Sequence, residues 1–599
     1  FVLDRITPIA GLTALDAYQA LDTESVGGVL EEFGRLMGEV WAPTNAVGDA
    51  EGSRVEGDEV VTATGFKEAY QAYVDAGWAS VPFNEAYGGG GFPWLVGIVQ
   101  QEMLNSANMA LAMAPLLTHG AIDAIAHHGS EEQKEVYLTK MVSGEWTGSM
   151  NLTEPDAGSD VGALRTKAVR QDDGTYRITG QKIFITFGEH GFTDNIVHLV
   201  LARTPDAPAG TKGISCFIVP KYLVNDDGSL GERNDVHIVS VEHKMGIKGS
   251  PTCVLAYGDG SDGAVGYLIG EENAGMRYMF TMMNNARLGV GVEGLGLAER
   301  SYQKAVAYAR ERKQGYAPGA ARGEKSFIIE HPDVRRQLLT MRAYVESMRL
   351  LAYKTAEQID VARHHADEAE RTAAQELVDI LIPLVKSYCT DYAETVTSIG
   401  IQVHGGMGFI EETGAAQFYR DTKITQIYEG TNGIQAMDLV GRKLPMRAGG
   451  VYQDTVARIR ATIDQLAAAG LTARDVFEAG AAGDELAPIH RELTAAVATL
   501  EDATGWILSE GLADPVQALS AASPYQRLFS LVAAGWLMAQ QGLAAKAAID
   551  EGAADADVAQ VKLVTARFFA EHLLPAVHGL VQPVKAGKAD LFALTADQL

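Results

Sequence analysis

The chain has 599 residues, of which 47% are hydrophobic and 21% are charged, a balance typical of globular domains. Its 49 Lys and Arg residues against 77 Asp and Glu residues give a formal net charge of -28. Because such a surface repels phosphate backbones and anionic lipids, the composition argues against a general nucleic-acid or membrane-surface protein. It leaves room for a single anionic ligand in a locally basic cleft.

The cysteines and the N-terminal residues indicate a reducing compartment. Cys216, Cys253 and Cys389 lie far apart and form no CxxC pair, so neither a disulfide framework nor a structural zinc site is expected. No apolar run approaches the roughly 18 residues of a membrane span, and the first residues lack a signal-peptide pattern. The sequence therefore predicts a cytoplasmic protein with reduced thiols and no membrane-spanning segment.

The first part of the chain, 1–147, is predicted to be a helical domain. Apolar residues between Val26 and Val40 recur at the i, i+3, i+4, i+7 spacing of one helix face. After a glycine-rich break at 87–93, a second apolar helical stretch is predicted from about Trp94 to His127.

From 148 to 270 the pattern changes to short β-rich runs separated by turn residues, for example Asp172-Asp173-Gly174. No alternation of strands with helices is present, so the pattern predicts a mainly antiparallel sheet or small barrel. The predicted strands are 175–178, 182–186, 196–201, 214–219, 236–241 and 252–257.

Helical periodicity returns near Asn273 and continues to the end. One long helix is predicted to begin at Pro332, and a second to span about 374–399 with a kink or break at Pro383. A loop at 445–450 then leads into an alanine-rich helical block. The predicted fold class is therefore α+β, with an N-terminal helical domain (1–147), an antiparallel β domain (148–270), a helical bundle (271–444) and an additional helical domain (445–599).

The segment Gly289–Gly294 matches the GxGxxG pattern of dinucleotide-binding proteins. That fingerprint needs a strand before it and a helix that opens at it, whereas here helical sequence continues on both sides. The segment is therefore predicted to allow close helix–helix packing through small residues.

Two stretches could line a ligand site. In the first, 150–160, Pro155 prevents a regular helix, and the run from Ala157 to Ser159 could point N–H groups at an anion. In the second, 180–186, Phe184 and Thr186 lie on one side of a strand and could offer a flat apolar wall and a hydrogen-bond donor to an aromatic ring system. Taken alone, a capped turn and a half-buried strand explain these stretches as well.

A third stretch runs from Gln402 to Gln435 and contains Glu429 between an aromatic residue and a glycine. A carboxylate in that position could be partly desolvated and so become a usable base. An exposed loop glutamate or a helix cap is the alternative that the residues alone leave open.

Together and in this order, the motifs resemble the acyl-CoA dehydrogenase family. The resemblance covers about 61–444 and includes the helix–sheet–helix layout. It implies bound FAD, a CoA thioester as substrate, and oxidation of a saturated acyl-CoA to the 2-enoyl-CoA. The motifs that carry it are Thr153-Glu154-Pro155, Gly180-Gln181-Lys182, Arg287, Arg312, Gly405-Gly406 and Tyr428-Glu429-Gly430-Thr431.

The additional block, 445–599, exceeds the usual length of the family. With 242–246 and 331–336, it resembles a long subgroup whose members act on 3-(methylthio)propanoyl-CoA or on a broad range of fatty acyl-CoAs. Of these substrates, the resemblance favours the methylthio compound.

The family resemblance also implies the roles of the site residues. Glu429 is the base that removes the α proton while flavin N5 accepts the β hydride, and the backbone N–H of Glu429 and a ribityl hydroxyl bind the thioester oxygen. One branch of the family places its base where this chain has Ala286, which cannot take a proton. Ser159, Asn284 and Arg287 match positions that contact the CoA substrate, although many relatives have Asp in place of Asn284.

The FAD contacts fall in two groups. Arg312, Gln402 and Gly406 match positions that reach the FAD of a neighbouring subunit, which implies at least a homodimer. Two departures from the family are Phe184, where many relatives have Trp, and 313–315, where they have Thr-Phe-Gly. Thr431 matches a further FAD contact. The residues that the resemblance assigns to the flavin ring and pyrophosphate are Leu152, Thr153, Gly158, Ser159, Phe184 and Thr186.

Electron-transfer flavoprotein is the electron acceptor that the resemblance implies. An acyl-CoA oxidase, in which oxygen reoxidises the flavin, and a broad-range fatty acyl-CoA dehydrogenase are the alternatives with the same layout. A catalytically silent scaffold is a further alternative, against which Glu429 and the flavin-contact residues argue.

Overall fold

The computed structural model describes residues 1–320, 323–469 and 485–599. The chain divides into two compact units: a β-containing unit, 26–289, and a helical unit, 1–25 together with 290–599. The described α-helices are α1 (Val2–Arg5), α2 (Ile9–Thr13), α3 (Thr23–Leu36), α4 (Thr44–Glu51), α5 (Phe66–Asp75), α6 (Trp94–His128), α7 (Glu131–Ser143), α8 (Gly275–Glu311), α9 (Pro332–His364), α10 (Glu368–His404), α11 (Ala415–Thr422), α12 (Asn432–Asp438), α13 (Gly450–Ala468), α14 (Ala487–Trp506), α15 (Pro515–Asp550), α16 (Ala556–Phe568) and α17 (Val581–Ala586). The described strands are β1 (Arg54–Glu56), β2 (Glu59–Val61), β3 (Trp146–Asn151), β4 (Lys167–Arg170), β5 (Tyr176–Thr186), β6 (Asn195–Ala202), β7 (Ser215–Pro220), β8 (Tyr222–Val224), β9 (Leu230–Arg233), β10 (Val236–Val241), β11 (Thr252–Tyr257) and β12 (Ala264–Leu268).

An eight-stranded sheet forms the centre of the β-containing unit. Its strand order is β10-β11-β5-β12-β7-β6-β3, and β4 pairs with β5 beside this path. The pairs are antiparallel except β3 with β6, which run parallel. Helix α6 packs on β3, where Gly148 N–H donates to Thr118 Oγ1 at 3.0 Å. The mainly antiparallel sheet predicted from the turn punctuation is therefore confirmed.

One part of the strand prediction was wrong, because 175–178 and 182–186 belong to the single strand β5. Gly180 lies inside this strand with φ 152°. A Cβ atom at Gly180 would lie 2.6 Å from Thr166 Oγ1, so the glycine allows a close approach of two chain segments.

Long antiparallel helices dominate the helical unit. Cβ atoms at Gly291 and Gly294 of α8 would lie 2.7 Å from Val385 Cγ1 and 2.8 Å from the Cys389 carbonyl oxygen. This close approach confirms that the GxGxxG segment packs helices together. Helix α10 continues through Pro383, so the expected break is absent. The loop predicted at 445–450 is present as a tight turn before α13, in which Arg447 and Ala448 have φ values of 47° and 54°.

The additional C-terminal block is helical, as predicted. Its longest helix, α15, packs against α9, α10 and α12 of the bundle and against α13, α14 and α16 of the block itself. Trp536 of α15 donates to Thr462 Oγ1 at 2.9 Å, and Gln526 donates to the Pro383 carbonyl at 3.1 Å. These bonds anchor α15 to α13 and to α10.

Two helices, α6 and α15, are long and apolar enough to cross a membrane by length and composition. The most apolar 18-residue window of α6 is 94% buried inside the protein, and that of α15 is 83% buried. A buried core helix has the same composition, so this finding is weak evidence for a membrane span.

Two histidines lie almost completely inside the β-containing unit. His190 is hydrogen bonded to Thr147 Oγ1 at 2.9 Å and His198 to Ser149 Oγ at 2.7 Å. Burial, with the charge of Lys221 adding to it, lowers the pKa of both imidazoles from 6.5 to about 3. Both side chains are therefore neutral in the folded protein under ordinary conditions.

The free energy of unfolding is expected to fall as pH is lowered from 6.5 towards 3. In this window the unfolded chain binds protons that folded His190 and His198 do not. Each histidine therefore contributes a slope of up to about 1.4 kcal/mol per pH unit to the free energy of unfolding. Denaturant titrations between pH 5 and 7.5 measure the slope. We expect His198→Gln to reduce it and the exposed His243→Gln to leave it unchanged; equal slopes in parent and His198→Gln would contradict the assignment.

Candidate active site

A buried ion pair anchors the loop at 150–160 to strand β5. Lys182, wholly buried, lies 2.8 Å from Glu154 Oε1 and donates to the Leu152 carbonyl at 2.9 Å. Burial lowers the pKa of Lys182 to about 8, while the charge of Glu154 opposes this change. Thr166 Oγ1 and the backbone N–H of Arg165 also donate to Glu154, at 2.5 and 2.6 Å. The carboxylate is therefore well satisfied despite its burial.

This anchor positions four of the predicted FAD contacts. Ile183 N–H donates to the Thr153 carbonyl at 2.9 Å, which holds the loop beside the strand. Glu154 and Ala157 exchange backbone hydrogen bonds at 3.1 and 3.0 Å, and this turn presents the following residues to solvent. No atom lies within 4 Å of a Cβ placed on Gly158, so a ligand can approach the backbone there. The four positioned residues are Leu152, Thr153, Gly158 and Ser159.

A β-bulge in strand β5 exposes Phe184. Opposite β11, Lys182 pairs with Leu255 and Ile185 with Cys253, so two residues of β5 face Val254 alone. Phe184 has φ 59° and is 58% exposed, whereas Ile185 is buried and Thr186 half-buried. A large aromatic residue with a left-handed backbone costs folding free energy, and such costs concentrate at functional sites.

Two of the three predicted substrate positions, Asn284 and Arg287, lie on α8, and the third is Ser159. Arg287 is 3% exposed, next to Ala286, which is also buried. Asn284 belongs to the same helix, but its side chain lies outside the described residues. Asn285 donates a short hydrogen bond to Asp123, which ties this turn of α8 to α6.

In the helical unit, Glu429 lies in a left-handed turn between two helical segments. Its φ is 54°, and that of Gly430 is 83°. The residue is half-buried, and it is Thr431 whose side chain caps α12 by accepting from Ile434 N–H at 3.3 Å. Glu429 is therefore neither fully exposed nor the N-cap residue of α12.

The turn is held on both sides of Glu429. Before it, the Tyr428 hydroxyl donates a short hydrogen bond to Glu293, which is wholly buried. After it, the wholly buried Lys386 donates to Asn432 Oδ1 at 2.8 Å, and Asn432 donates to Asp391 at 2.7 Å. A carboxylate on such a fixed backbone is pre-oriented for proton transfer.

Arg312, Gln402 and Gly406 form a separate, exposed group in the helical unit. Tyr308 of α8 stacks on His404 of α10 with ring centroids 4.5 Å apart, which brings the ends of these two helices together. The adjacent 3-10 helix, Gly405–Phe409, is unusually apolar at the surface. Its exposed large side chains, with that of the following residue, are Met407 (49%), Phe409 (85%) and Ile410 (46%).

Models of one protein family match four successive parts of the chain. They are described as "Acyl-CoA dehydrogenase, N-terminal domain" at 52–145, "middle domain" at 149–259, "C-terminal domain" at 273–444 and "Acetyl-CoA dehydrogenase C-terminal like" at 455–595. The chain belongs to the acyl-CoA dehydrogenase family. The predicted resemblance is thus confirmed.

Relatives of this acyl-CoA dehydrogenase cover nearly its whole length. The 3-methylmercaptopropionyl-CoA dehydrogenase of Ruegeria pomeroyi is 47% identical over 96% of this chain and 94% of its own. A butyryl-CoA dehydrogenase of Syntrophomonas wolfei is 38% identical over 96% of this chain and 93% of its own. An acyl-CoA dehydrogenase from Bacillus anthracis, solved in complex with FAD, has a TM-score of 0.72 at 21% identity, covering 96% of this chain and 90% of that one. The predicted α+β fold class is confirmed.

Several polar residues that support the predicted site residues within each unit were not predicted from the sequence. Glu154 and Lys182 were noted only as parts of family motifs, and Glu293 only as part of the glycine-rich helix segment. No buried contact was predicted for any of the three. Lys386 gave one usable signal, because a lysine inside the apolar run 380–389 needs a buried partner. The assigned functional roles of the site residues stay predictions.

Proposed function

We propose that the chain is an FAD-dependent acyl-CoA dehydrogenase that converts a saturated acyl-CoA to the 2-enoyl-CoA, with Glu429 as its base. The observation that carries the proposal is the half-buried Glu429 in a left-handed turn fixed on both sides. Family membership supports the reaction class.

The reaction needs a base and a hydride acceptor at opposite ends of one C–C bond, because neither the α proton nor the β hydride leaves easily alone. Glu429 takes the proton onto its carboxylate. When bound, FAD supplies the hydride acceptor. The backbone N–H of Glu429 donates to the thioester oxygen as negative charge develops there, and a donor of this kind is worth roughly 10²–10³-fold in rate.

The residues of the β-containing unit fit a flavin dinucleotide. The exposed ring of Phe184 offers a face for a planar ring system, and Gly158 leaves its backbone open to a phosphate group. Thr153 is fixed beside β5, because its carbonyl accepts from Ile183 N–H at 2.9 Å. We therefore assign the FAD contacts predicted at Leu152, Thr153, Gly158, Ser159, Phe184 and Thr186 to this surface.

The proposed substrate is 3-(methylthio)propanoyl-CoA, which the name of the relative at 47% identity supports. The butyryl-CoA dehydrogenase at 38% identity supports the alternative, a short or broad-range fatty acyl-CoA. Anaerobic reduction of the purified flavoprotein by a panel of acyl-CoAs separates them. For each acyl-CoA, the rate of flavin reduction is divided by the substrate concentration that gives half-saturation. We expect the highest ratio with the methylthio substrate. An equal or higher ratio with butyryl-CoA favours the alternative.

Electron-transfer flavoprotein is the proposed acceptor. Stopped-flow measurement of flavin reoxidation in the substrate-reduced enzyme distinguishes electron-transfer flavoprotein from oxygen as the acceptor. Slow reoxidation in air and fast reoxidation by added electron-transfer flavoprotein are expected. Rapid turnover in air without an added acceptor would instead make the protein an acyl-CoA oxidase, and a colourless preparation that takes up no FAD would make it a silent scaffold.

A homodimer is also proposed, with the exposed apolar segment at 407–410 in its interface. Three observations support it: Phe409 is 85% exposed, its neighbours Met407 and Ile410 are also exposed, and Gln402 and Gly406 stand at positions that in the family reach the FAD of a neighbouring subunit. An apolar patch of this kind typically marks an interface.

Phe409→Asp is expected to convert the dimer to monomer and to lower FAD occupancy, because a charge cannot be buried unpaired in an apolar interface. Size-exclusion chromatography with light scattering gives the mass, and the flavin absorbance gives the occupancy. Phe592→Asp is the matched control, since Phe592 is 68% exposed elsewhere on the helical unit. A parental mass and parental FAD content in Phe409→Asp would refute this interface.

A further inference from the structure

A carboxyl group buried in the helical unit contacts the residue that precedes the proposed base. Glu293, on α8, is wholly buried, and its Oε2 accepts the hydrogen bond of the Tyr428 hydroxyl. Its other oxygen, Oε1, has no hydrogen-bond partner. Burying a half-satisfied carboxyl group costs free energy, so a purely structural role would be better filled by an apolar side chain.

The surroundings of Glu293 favour its neutral form. The titratable groups that act on it are Tyr428, Glu429 and Lys386. Burial raises the pKa of Glu293 to about 8, the hydrogen bond from Tyr428 and the charge of Lys386 oppose this rise, and the charge of Glu429 adds to it. Burial also raises the pKa of Tyr428 well above its ordinary value, so the phenol keeps its proton.

Tyr428 links Glu293 to the proposed base Glu429, because Tyr428 and Glu429 are adjacent in the backbone. The side chain of Tyr428 is fixed at its hydroxyl by Glu293, and the next residue, Glu429, begins the left-handed turn with φ 54°. On the far side, Lys386 and Asp391 hold Asn432. The Glu293 contact is thus one of the contacts that oppose relaxation of the strained Glu429 backbone towards the right-handed region, together with the Asn432 anchor and the hydrogen bond from Gln435 to the Gly430 carbonyl.

We propose that Glu293 is a positioning residue: as a neutral buried carboxyl group it holds Tyr428 and thereby fixes the backbone that aims Glu429 at the substrate. This inference rests on the proposed function, since it assumes that Glu429 is the base. A neutral group suits the role because an ionised one would put a second negative charge beside Glu429.

The test compares two replacements of similar size. Glu293→Met removes the acceptor, and we expect it to slow flavin reduction by roughly 10²-fold, because a small displacement of a reacting group has that cost. Glu293→Gln keeps an acceptor for Tyr428 and is expected to recover most of the lost rate. The substrate concentration for half-saturation and the FAD content are expected to stay near the parental values in both variants.

A second measurement detects the charge state of Glu293. Between its ordinary pKa of 4.5 and the folded value of about 8, the folded protein holds a proton that the unfolded chain has lost. Its contribution to stability is therefore fully present below 4.5 and is lost as pH rises through that window. Relative to Glu293→Gln, the parent is expected to lose thermal stability between pH 5 and pH 9.

Two results would overturn the proposal: flavin reduction at the parental rate in Glu293→Met, or an equal loss of rate in Glu293→Gln and Glu293→Met. A stability difference that does not change with pH would equally reject a neutral Glu293. Failure of the proposed function looks different, because then Glu429→Gln itself reduces its flavin normally. The Glu429→Gln and Glu293→Met results are therefore read separately.

Discussion

Glu429→Gln is expected to bind FAD and acyl-CoA like the parent and to reduce its flavin roughly 10²–10⁴-fold more slowly, the usual contribution of a general base. Glutamine has nearly the same size as glutamate and can keep the left-handed turn, but its amide takes no proton from the α carbon. Anaerobic stopped-flow bleaching of the flavin band gives the rate, and spectral perturbation of the oxidised flavin gives the substrate affinity.

The helical unit offers a matched control for this variant. Glu411 is exposed and is paired at the surface with Arg420. Glu411→Gln makes the same chemical change at a position with no proposed role in proton transfer, and parental bleaching is expected. If Glu429→Gln also bleached at nearly the parental rate, another group would be the base, and the assignment would be rejected.

Lys182→Met is expected to destabilise the β-containing unit by roughly 3–5 kcal/mol, the usual cost of removing one partner of a buried ion pair. Glu154 would remain at 6% exposure without its charge partner, and the Leu152 carbonyl would lose its donor. Because the same contacts hold the loop at 150–160, FAD is also expected to bind more weakly. Denaturant unfolding of the apoprotein and flavin release from the holoprotein measure the two effects.

Two comparison variants isolate the ion pair. Lys167→Met, in the adjoining strand β4, changes an exposed lysine and is expected to have little effect on either measurement. Combining Lys182→Met with Glu154→Gln removes both charges and is expected to recover part of the lost stability, because no buried charge is then left unpaired. Parental stability in Lys182→Met alone would show that the pair does not anchor the loop.

The elements with clear sequence boundaries could be predicted well. The strands 236–241 and 252–257 were bounded by turn residues and are β10 and β11, and the apolar run from Trp94 to His127 is α6. In these cases local periodicity and tertiary burial agree, so a single sequence is sufficient.

The errors arose where tertiary contacts outweighed a local signal. The gap left between the predicted strands 175–178 and 182–186 was wrong, because Gly180 lies inside β5 and allows Thr166 to approach that strand. A break was one of the two outcomes expected at Pro383, yet α10 is continuous there and the Pro383 carbonyl accepts from Ser387 Oγ and from Gln526. Neither partner arrangement can be inferred from the periodicity of one segment.

The candidate site likewise contains residues that could be predicted from the sequence and residues that could not. Glu429 could be found, because its motif is local and its neighbours are distinctive. Its support could not be found, since Glu293 and Tyr428 are 135 residues apart and Lys182 and Glu154 are 28 residues apart. A buried charge is recognised as such only when the fold shows what covers it and what pairs with it.

Anaerobic mixing of the purified yellow protein with 3-(methylthio)propanoyl-CoA tests the central claim most directly. If the protein oxidises this acyl-CoA as proposed, we expect the flavin band to bleach and about one enoyl-CoA to form per flavin, because one substrate transfers two electrons. A flavin that stays oxidised with this substrate and with butyryl-CoA, and a substrate recovered unchanged, would contradict the assignment of acyl-CoA oxidation to this site.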